Sequence, residues 1–271
     1  MRFIKILPLI VIACGLLYTG LHYRQESAQP AMVTNPTGPD DNSPFGIPSP
    51  GGTANDAIFK NPYFTLSYNN AQGGPNWVAW KLVAGDIGDA PRMPFYAEKL
   101  PAGFKVITPD DYTGSGFDRG HQCNHEDRSS TDQASRATFA MTNMLPQAPN
   151  LNRKTWVRLE DYSRKLAKRG NTLYILCGGI GSGGDGDKGS ASNIKGKVNV
   201  PAACWKVILI TDGSDTPNQN WEIISVIMPN TQTIDLNWNT YRVPISEVEK
   251  QTGLKFFPAI GPALNQIKSK S

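Results

Sequence analysis

An α+β fold with a mostly antiparallel central sheet flanked by helices is what this sequence predicts, and three observations predict it. Phe64–Tyr68 and Asn76–Leu82 are strand-like runs joined by the turn-rich segment Asn69–Gly74, which reads as a hairpin. Strands and helices then follow without regular alternation, which argues against a doubly wound sheet. No dinucleotide-type glycine signature follows a strand.

The chain of 271 residues is long enough for one large domain or two small ones. Hydrophobic residues make up 39% and charged residues 18%, far more apolar material than a disordered chain carries. The 26 glycines show no three-residue period, which excludes collagen. One long apolar run stands at the N-terminus, so a multispan membrane protein is excluded. No period of about 20–50 residues is visible, which argues against solenoids and propellers.

The N-terminal run, MRFIKILPLIVIACGLLYTGL, has a basic start in Arg2 and Lys5 and an apolar centre from Ile6 to Leu17. It reads as an export signal or an N-terminal membrane or lipid anchor over residues 1–27. Val11-Ile12-Ala13-Cys14 is like a bacterial lipobox, yet Gly15-Leu16-Leu17-Tyr18 continues apolar. Cleavage, lipidation at Cys14 and retention all stand open. The folded part is expected outside the cytoplasm: periplasmic, extracellular or tethered to a membrane's outer side. Residues 28–55, dense in Pro, Gly, Asn and Ser, are expected to be a flexible linker, and residues 56–271 the functional domain.

Within that domain the elements follow in order. After the hairpin, residues 131–142 read as a helix capped by Ser130 or Thr131. Asn152–Arg169 is the strongest helical stretch: Trp156, Leu159, Tyr162 and Leu166 recur at steps of three and four, and Gly170 ends it. Thr172–Leu176 is a buried-strand type of run, followed by a glycine-rich loop over residues 178–190. Lys206–Ile210 and Trp221–Met228 are two more strands, and residues 245–254 suggest a last helix opened by Pro244 and Ser246. Cys177 and Cys204 lie at strand ends and are the expected disulfide pair, with Cys123 left free; three buried thiols are the alternative.

The net charge is +4, and without the leader 24 basic residues face 22 acidic ones, so any basic footprint must be local. The chemistry concentrates in two segments. Tyr112–His125 holds two of the three histidines, with Asp118, Arg119 and His121 after a Gly- and Ser-rich loop. An imidazole titrating near neutrality must therefore come from His121 or His125. In Thr142–Glu160, Asn152, Trp156 and Glu160 fall at steps of four, each advancing about 40° around a helix. Asn152 and Glu160 can thus face one neighbourhood. An amide oxygen and a carboxylate are hard ligands that suit Mg²⁺, which keeps most of its waters. Helix capping by Asn152 and solvation of Glu160 are the bland alternatives.

Asp118-Arg119-Gly120-His121, Thr142-Asn143 with Pro146-Gln147, and Asn152-x3-Trp156-x3-Glu160 together resemble the DNA/RNA non-specific endonuclease family. The likeness covers roughly residues 60–258 and extends to Asn76–Leu82, Pro201–Val207, Met228-Pro229-Asn230 and Tyr241-Arg242-Val243. It implies a ββα-metal finger in which a hairpin strand carries the histidine and a helix the metal-binding asparagine. It implies His121 as general base, Asn152 as direct ligand of one Mg²⁺ (or Mn²⁺), and Glu160 orienting metal-bound water. Asn143 would help position His121 or its neighbours, Arg119 would face the phosphate, and Asp118 would support the local loop. Arg92 would be a second phosphate-binding arginine. DNA and RNA are the implied substrates, cut without sequence preference, as phosphate contacts allow. Lys99, Lys105, Arg128, Arg136, Arg153, Lys154 and Arg158 would add a local basic surface.

Gln122-Cys123-Asn124-His125 departs from the family pattern, which is more apolar or proline-bearing there. His121, Cys123 and His125 alternate, so on a strand they would share a face, as in a zinc site lacking its fourth ligand. Other functions stay open at this stage: a module that binds nucleic acid without cutting, a phosphodiesterase for small esters, and a toxin nuclease with an inhibitor protein. Oligomeric state is also open.

Overall fold

The computed structural model describes residues 33–34, 41–50, 56–214, 216–264 and 266–269. Its central element is an eight-stranded sheet in the order β1-β2-β3-β4-β7-β8-β9-β10. The strands are β1 Val33–Thr34, β2 Asp56–Lys60, β3 Thr65–Asn69, β4 Gly74–Leu82, β7 Thr172–Ile180, β8 Ala203–Thr211, β9 Glu222–Pro229 and β10 Lys268–Ser269. Every neighbouring pair is antiparallel except β9–β10. Two short strands, β5 Asp118–His121 and β6 Met144–Gln147, pair with each other outside the sheet. The expected hairpin is β3–β4, with a register shift at Ser67/Tyr68.

Runs such as CWKVILIT in β8 are apolar on both sides, and both sides are covered. Cys204, Ile208 and Ile210 face a core that contains Trp80, Trp156, Leu159 and Ala167. Trp205, Val207 and Leu209 face the opposite core with Trp77, Trp221, Phe256 and Phe257. At roughly 1.5–3 kcal/mol per fully buried large apolar side chain, these two layers dominate the stabilisation. A third cluster, with Tyr112, Phe117, Met144 and Val198, supports the β5–β6 pair.

The longer helices are α1 Asp132–Thr138, α2 Val157–Lys168 and α3 Ile245–Thr252, beside two of four residues, Pro109–Tyr112 and Gly261–Leu264. Thr131 caps α1 by accepting from the Ala134 amide at 3.1 Å. The helix expected to reach residue 142 stops at Thr138, because Met141–Asn143 forms a 3₁₀ turn that leads into β6. The long helix begins with a π-helical turn, Leu151–Trp156, and becomes α-helical only at Val157. Gly170, at φ +95°, ends it as expected, and Gly253 ends α3 in the left-handed region. The glycine-rich loop after β7 is partly strand: β7 runs on to Ile180, and Gly184–Gly186 pairs with Gly189–Ala191.

Two expectations need correction. Residues 41–50 of the expected linker are packed: Phe45 is 6% exposed, with ring centroids 4.9 Å from Tyr174 and 5.4 Å from Trp221. Backbone hydrogen bonds from Ser49 to Lys255 and from Ala259 to Phe45 hold the same stretch, and composition averaged over 28 positions hides such contacts. Cys177 and Cys204 do not form the expected disulfide. The β7–β8 register sets Cys204 opposite Gly179 and Cys177 opposite Lys206, and all three described cysteines are free and buried. The leader, with Cys14, and the rest of the linker apart from Val33–Thr34 lie outside the described residues.

Candidate active site

A cleft of about 310 Å³ opens between the β5–β6 pair, the start of the long helix and the loop before α1. It is lined by Arg92, Phe95, Asp118, Arg119, His121, Asn124, Glu126, Asn152, Arg153, Val157 and Glu160. Six of the seven sequence-predicted residues therefore meet in one place; Asn143 lies behind it, fully buried.

His121 ends β5, opposite Met144 of β6. Its ring packs against Phe139 edge-on at 4.8 Å and Phe95 at 5.4 Å. Its Nε2 is buried without a hydrogen-bond partner, so packing orients that edge of the ring. Burial, and then the positive charge of Arg92 and the neighbouring His125, lower its pKa to about 3. The imidazole of the free protein is thus neutral at pH 7.

Asn143 acts one layer below. Its side-chain oxygen accepts from the Cys123 amide at 2.9 Å, and its amide donates to the carbonyls of Cys123 and Thr138 at 2.9 and 2.8 Å. Its own carbonyl accepts from Gln122 at 2.9 Å. These bonds fix the chain just after His121.

Asn152 lies in the π-helical turn. Its Nδ2 donates to Asp118 Oδ2 at 2.9 Å, which leaves the acceptor Oδ1 as the end of the amide for the cleft. Arg153 forks onto both oxygens of Asp118 at 2.8 and 2.6 Å. Asp118 therefore orients Asn152 as well as its own loop. Trp156 does not join this face: it is 1% exposed and turned towards the sheet, because the π turn widens the local spacing.

Glu160, one turn into α2, is 4% exposed. Its Oε2 accepts a short hydrogen bond from Asn124 Nδ2, and its Oε1 lies 3.5 Å from Lys206 Nζ. Burial pushes its pKa up to about 7, against the pull of Lys206.

The two arginines differ. Arg119 donates twice to the Pro109 carbonyl, at 3.2 and 2.8 Å, and once to Thr113, while its guanidinium stacks 5.1 Å over Phe95. Exposed Arg92 lies 5.2 Å over the Phe139 ring. Its loop is pinned by Ser135, which donates to the Pro91 carbonyl at 2.7 Å, and by His125, whose Nε2 lies 3.2 Å from the Ala90 carbonyl. His125, turned to Ala90, and Cys123, fully buried beyond the end of β5, do not share a ligating face with His121. No group of three or more His, Cys, Asp or Glu suited to a metal occurs among the described residues, so the zinc alternative fails on its ligands. The oxygen donors that line the cleft, the amides of Asn124 and Asn152 and the carboxylates of Asp118, Glu126 and Glu160, fit a hard, largely hydrated cation.

Sequence reasoning missed Asn124, Arg153 as the clamp on Asp118, and Lys206. The signal for Lys206 was present: a single charge at an inward position of the apolar run CWKVILI.

Comparison with known proteins agrees with this fold. A family model described as DNA/RNA non-specific endonuclease matches residues 41–262. A nuclease of Nostoc sp. is 42% identical over 220 residues, covering 79% of this chain and 77% of that protein. Mitochondrial endonuclease G of Bos taurus is 29% identical over 252 residues, covering 89% and 81%. Among solved structures, the EndoG/EndoGI complex includes a chain that superposes with a TM-score of 0.72 at 25% identity, covering 87% of this chain and 99% of that one.

Proposed function

This chain belongs to the DNA/RNA non-specific endonuclease family, and on that premise we propose that it hydrolyses phosphodiesters of DNA and RNA with Mg²⁺, using His121 as general base and Asn152 as metal holder. The observation that carries the reading is the convergence of His121, Asn152 and Glu160 on one cleft beside two arginines. A phosphodiester repels anionic nucleophiles, and its leaving group is a poor alkoxide. Hydrolysis therefore needs a base for water and positive charge for the pentacovalent state.

Neutral His121 takes a proton from the water that attacks phosphorus, the P–O bond opposite the entering water breaks, the leaving oxygen takes up a proton from solvent, and His121 returns its own to solvent. Arg92, exposed on a pinned loop, and Arg119, stacked on Phe95, hold the phosphate oxygens. Asn152, turned by Asp118, would hold the cation through Oδ1, and Glu160 would order water beside it. Bound there, Mg²⁺ would stabilise charge on the non-bridging and leaving oxygens. Contacts limited to phosphate explain indifference to base sequence. The basic start in Arg2 and Lys5 followed by an apolar run supports export of the chain, with residues 56–271 and the packed segment 41–50 forming the enzyme.

Digestion of plasmid and RNA by the full-length chain, with Mg²⁺ and with EDTA, tests this beside His121→Ala. The expected result is cleavage of both polymers that requires metal and falls by about 10²–10⁴-fold in the variant. Undiminished cleavage by His121→Ala would remove the base assignment. Hydrolysis of a small chromogenic diester without plasmid cleavage would replace the polymer by a small ester.

A further inference from the structure

Lys206 is the least expected residue near the cleft. It lies in the middle of β8, with Cys177 opposite on one side and Val226 on the other, and is 1% exposed. An ammonium at that depth is costly unless opposite charge or aromatic faces meet it. Both do. Its Nζ lies 4.3 Å from the Trp156 ring centroid, 5.5 Å from that of Trp80, and 3.5 Å from Glu160 Oε1. The two rings are themselves buried, at 1% and 0% exposure, so the ammonium has little room to move.

The other oxygen of Glu160 is held from the opposite direction. Asn124 donates its Nδ2 to Oε2, and its own Oδ1 accepts from the Glu126 amide at 2.7 Å and from Arg164 at 3.4 Å. Those bonds fix which end of the Asn124 amide meets the carboxylate. One oxygen of Glu160 thus faces a cation beneath the cleft, and the other a donor in its wall.

We propose that Lys206 and Asn124 are positioning residues that grip the two oxygens of Glu160 and set its orientation towards the cation site. The inference rests on the reading of Glu160 as the residue that orders the cation's water. Neither residue touches substrate in this role; both act through Glu160.

The experiment compares the full-length wild type with Lys206→Met, Asn124→Ala, Glu160→Gln and the double variants that combine each of the first two with Glu160→Gln. Mg²⁺ binding is measured by calorimetry without substrate, and kcat and KM on a duplex oligonucleotide. Partners of this kind are typically worth about 10–100-fold in metal affinity or activity. Lys206→Met and Asn124→Ala are expected to weaken Mg²⁺ binding and lower kcat within that range, with KM for DNA essentially unchanged. In the Glu160→Gln background neither is expected to cause any further loss.

Wild-type metal affinity and kcat in Asn124→Ala and Lys206→Met, with Glu160→Gln impaired, would overturn the inference while leaving the reading of Glu160 intact. So would a loss of the same size in both backgrounds, since the residues would then act elsewhere. Full activity of Glu160→Gln would overturn the reading of Glu160 itself. If Lys206→Met fails to fold, Asn124→Ala, whose side chain lines the open cleft, carries the same comparison.

Discussion

The two faces of the central sheet are built from the same strands and are stabilised differently. On the rear face, Trp77, Trp205, Trp221, Phe45, Phe256 and Phe257 form a layer of rings and aliphatic side chains. On the front face, under α2 and the cleft, charge is buried among the apolar residues: Lys206 against Glu160, and Arg164, 3.0 Å from Asp127, which also accepts from Trp80 at 3.1 Å. Both faces bury large apolar layers, but the front face also has to partner each charge it buries. The difference matters for the cleft above the front face: charged side chains fixed at a cleft need partners beneath them, and the compensated interior of that face supplies them. It also implies different responses to mutation.

The largest contrast is expected at Arg164. Arg164→Met leaves Asp127 buried without its cation, and removing one partner of a buried pair costs about 3–5 kcal/mol. Chemical denaturation should show that loss, and activity should fall too, because Arg164 also meets Asn124. A loss of stability below about 1 kcal/mol would mean that the front face is held by packing, like the rear.

Next comes the rear face. Phe45→Ala is expected to cost about 3 kcal/mol, as large aromatic truncations do, with kcat of the folded protein unchanged. A neutral effect on melting would return residues 41–50 to the status of a linker. A fall in kcat at full folding would break the separation of the two faces.

Smaller effects come from titration. Glu98 accepts a short hydrogen bond from Thr142, beside Asn143, and burial raises its pKa from 4.5 to about 7. Between those values the folded state keeps a proton that the unfolded state has lost, so this carboxyl's contribution to stability falls as pH rises from 4.5 to 7. Glu98→Gln should flatten that part of the stability–pH curve, and an unchanged slope would exclude Glu98 as its source. The smallest expected change is local. Arg92→Ala removes the charge that helps hold His121 below the usual imidazole range, so its titration midpoint, followed by NMR, should move up towards 6.5. A midpoint that stays in place would leave burial and His125 as the causes.

Much of this was legible in the chain. The hairpin, β7, β8, β9 and the long helix announce themselves by runs of two-sided apolar residues or by three- and four-residue spacing, since local geometry alone dictates those patterns. Six of the seven site residues meet in the cleft because the family pattern carries their spacing. The bounds of α1 and the π turn before α2 were not legible: both are set by what the following segment must reach, β6 in one case and the sheet in the other.

By itself, then, the sequence determined the class of the fold, five of the eight strands of the sheet and most of the residues that line the cleft. Tertiary structure alone decided how they are held. It decided that Phe45 belongs to the rear core, that Cys177 and Cys204 stay reduced across an offset register, that Asp118 turns the Asn152 amide, and that Lys206 and Asn124 meet Glu160. The reason is physical. Periodicity records which side of an element is buried, whereas the partner of a buried charge comes from a segment 36 to 46 residues away, fixed by register and packing.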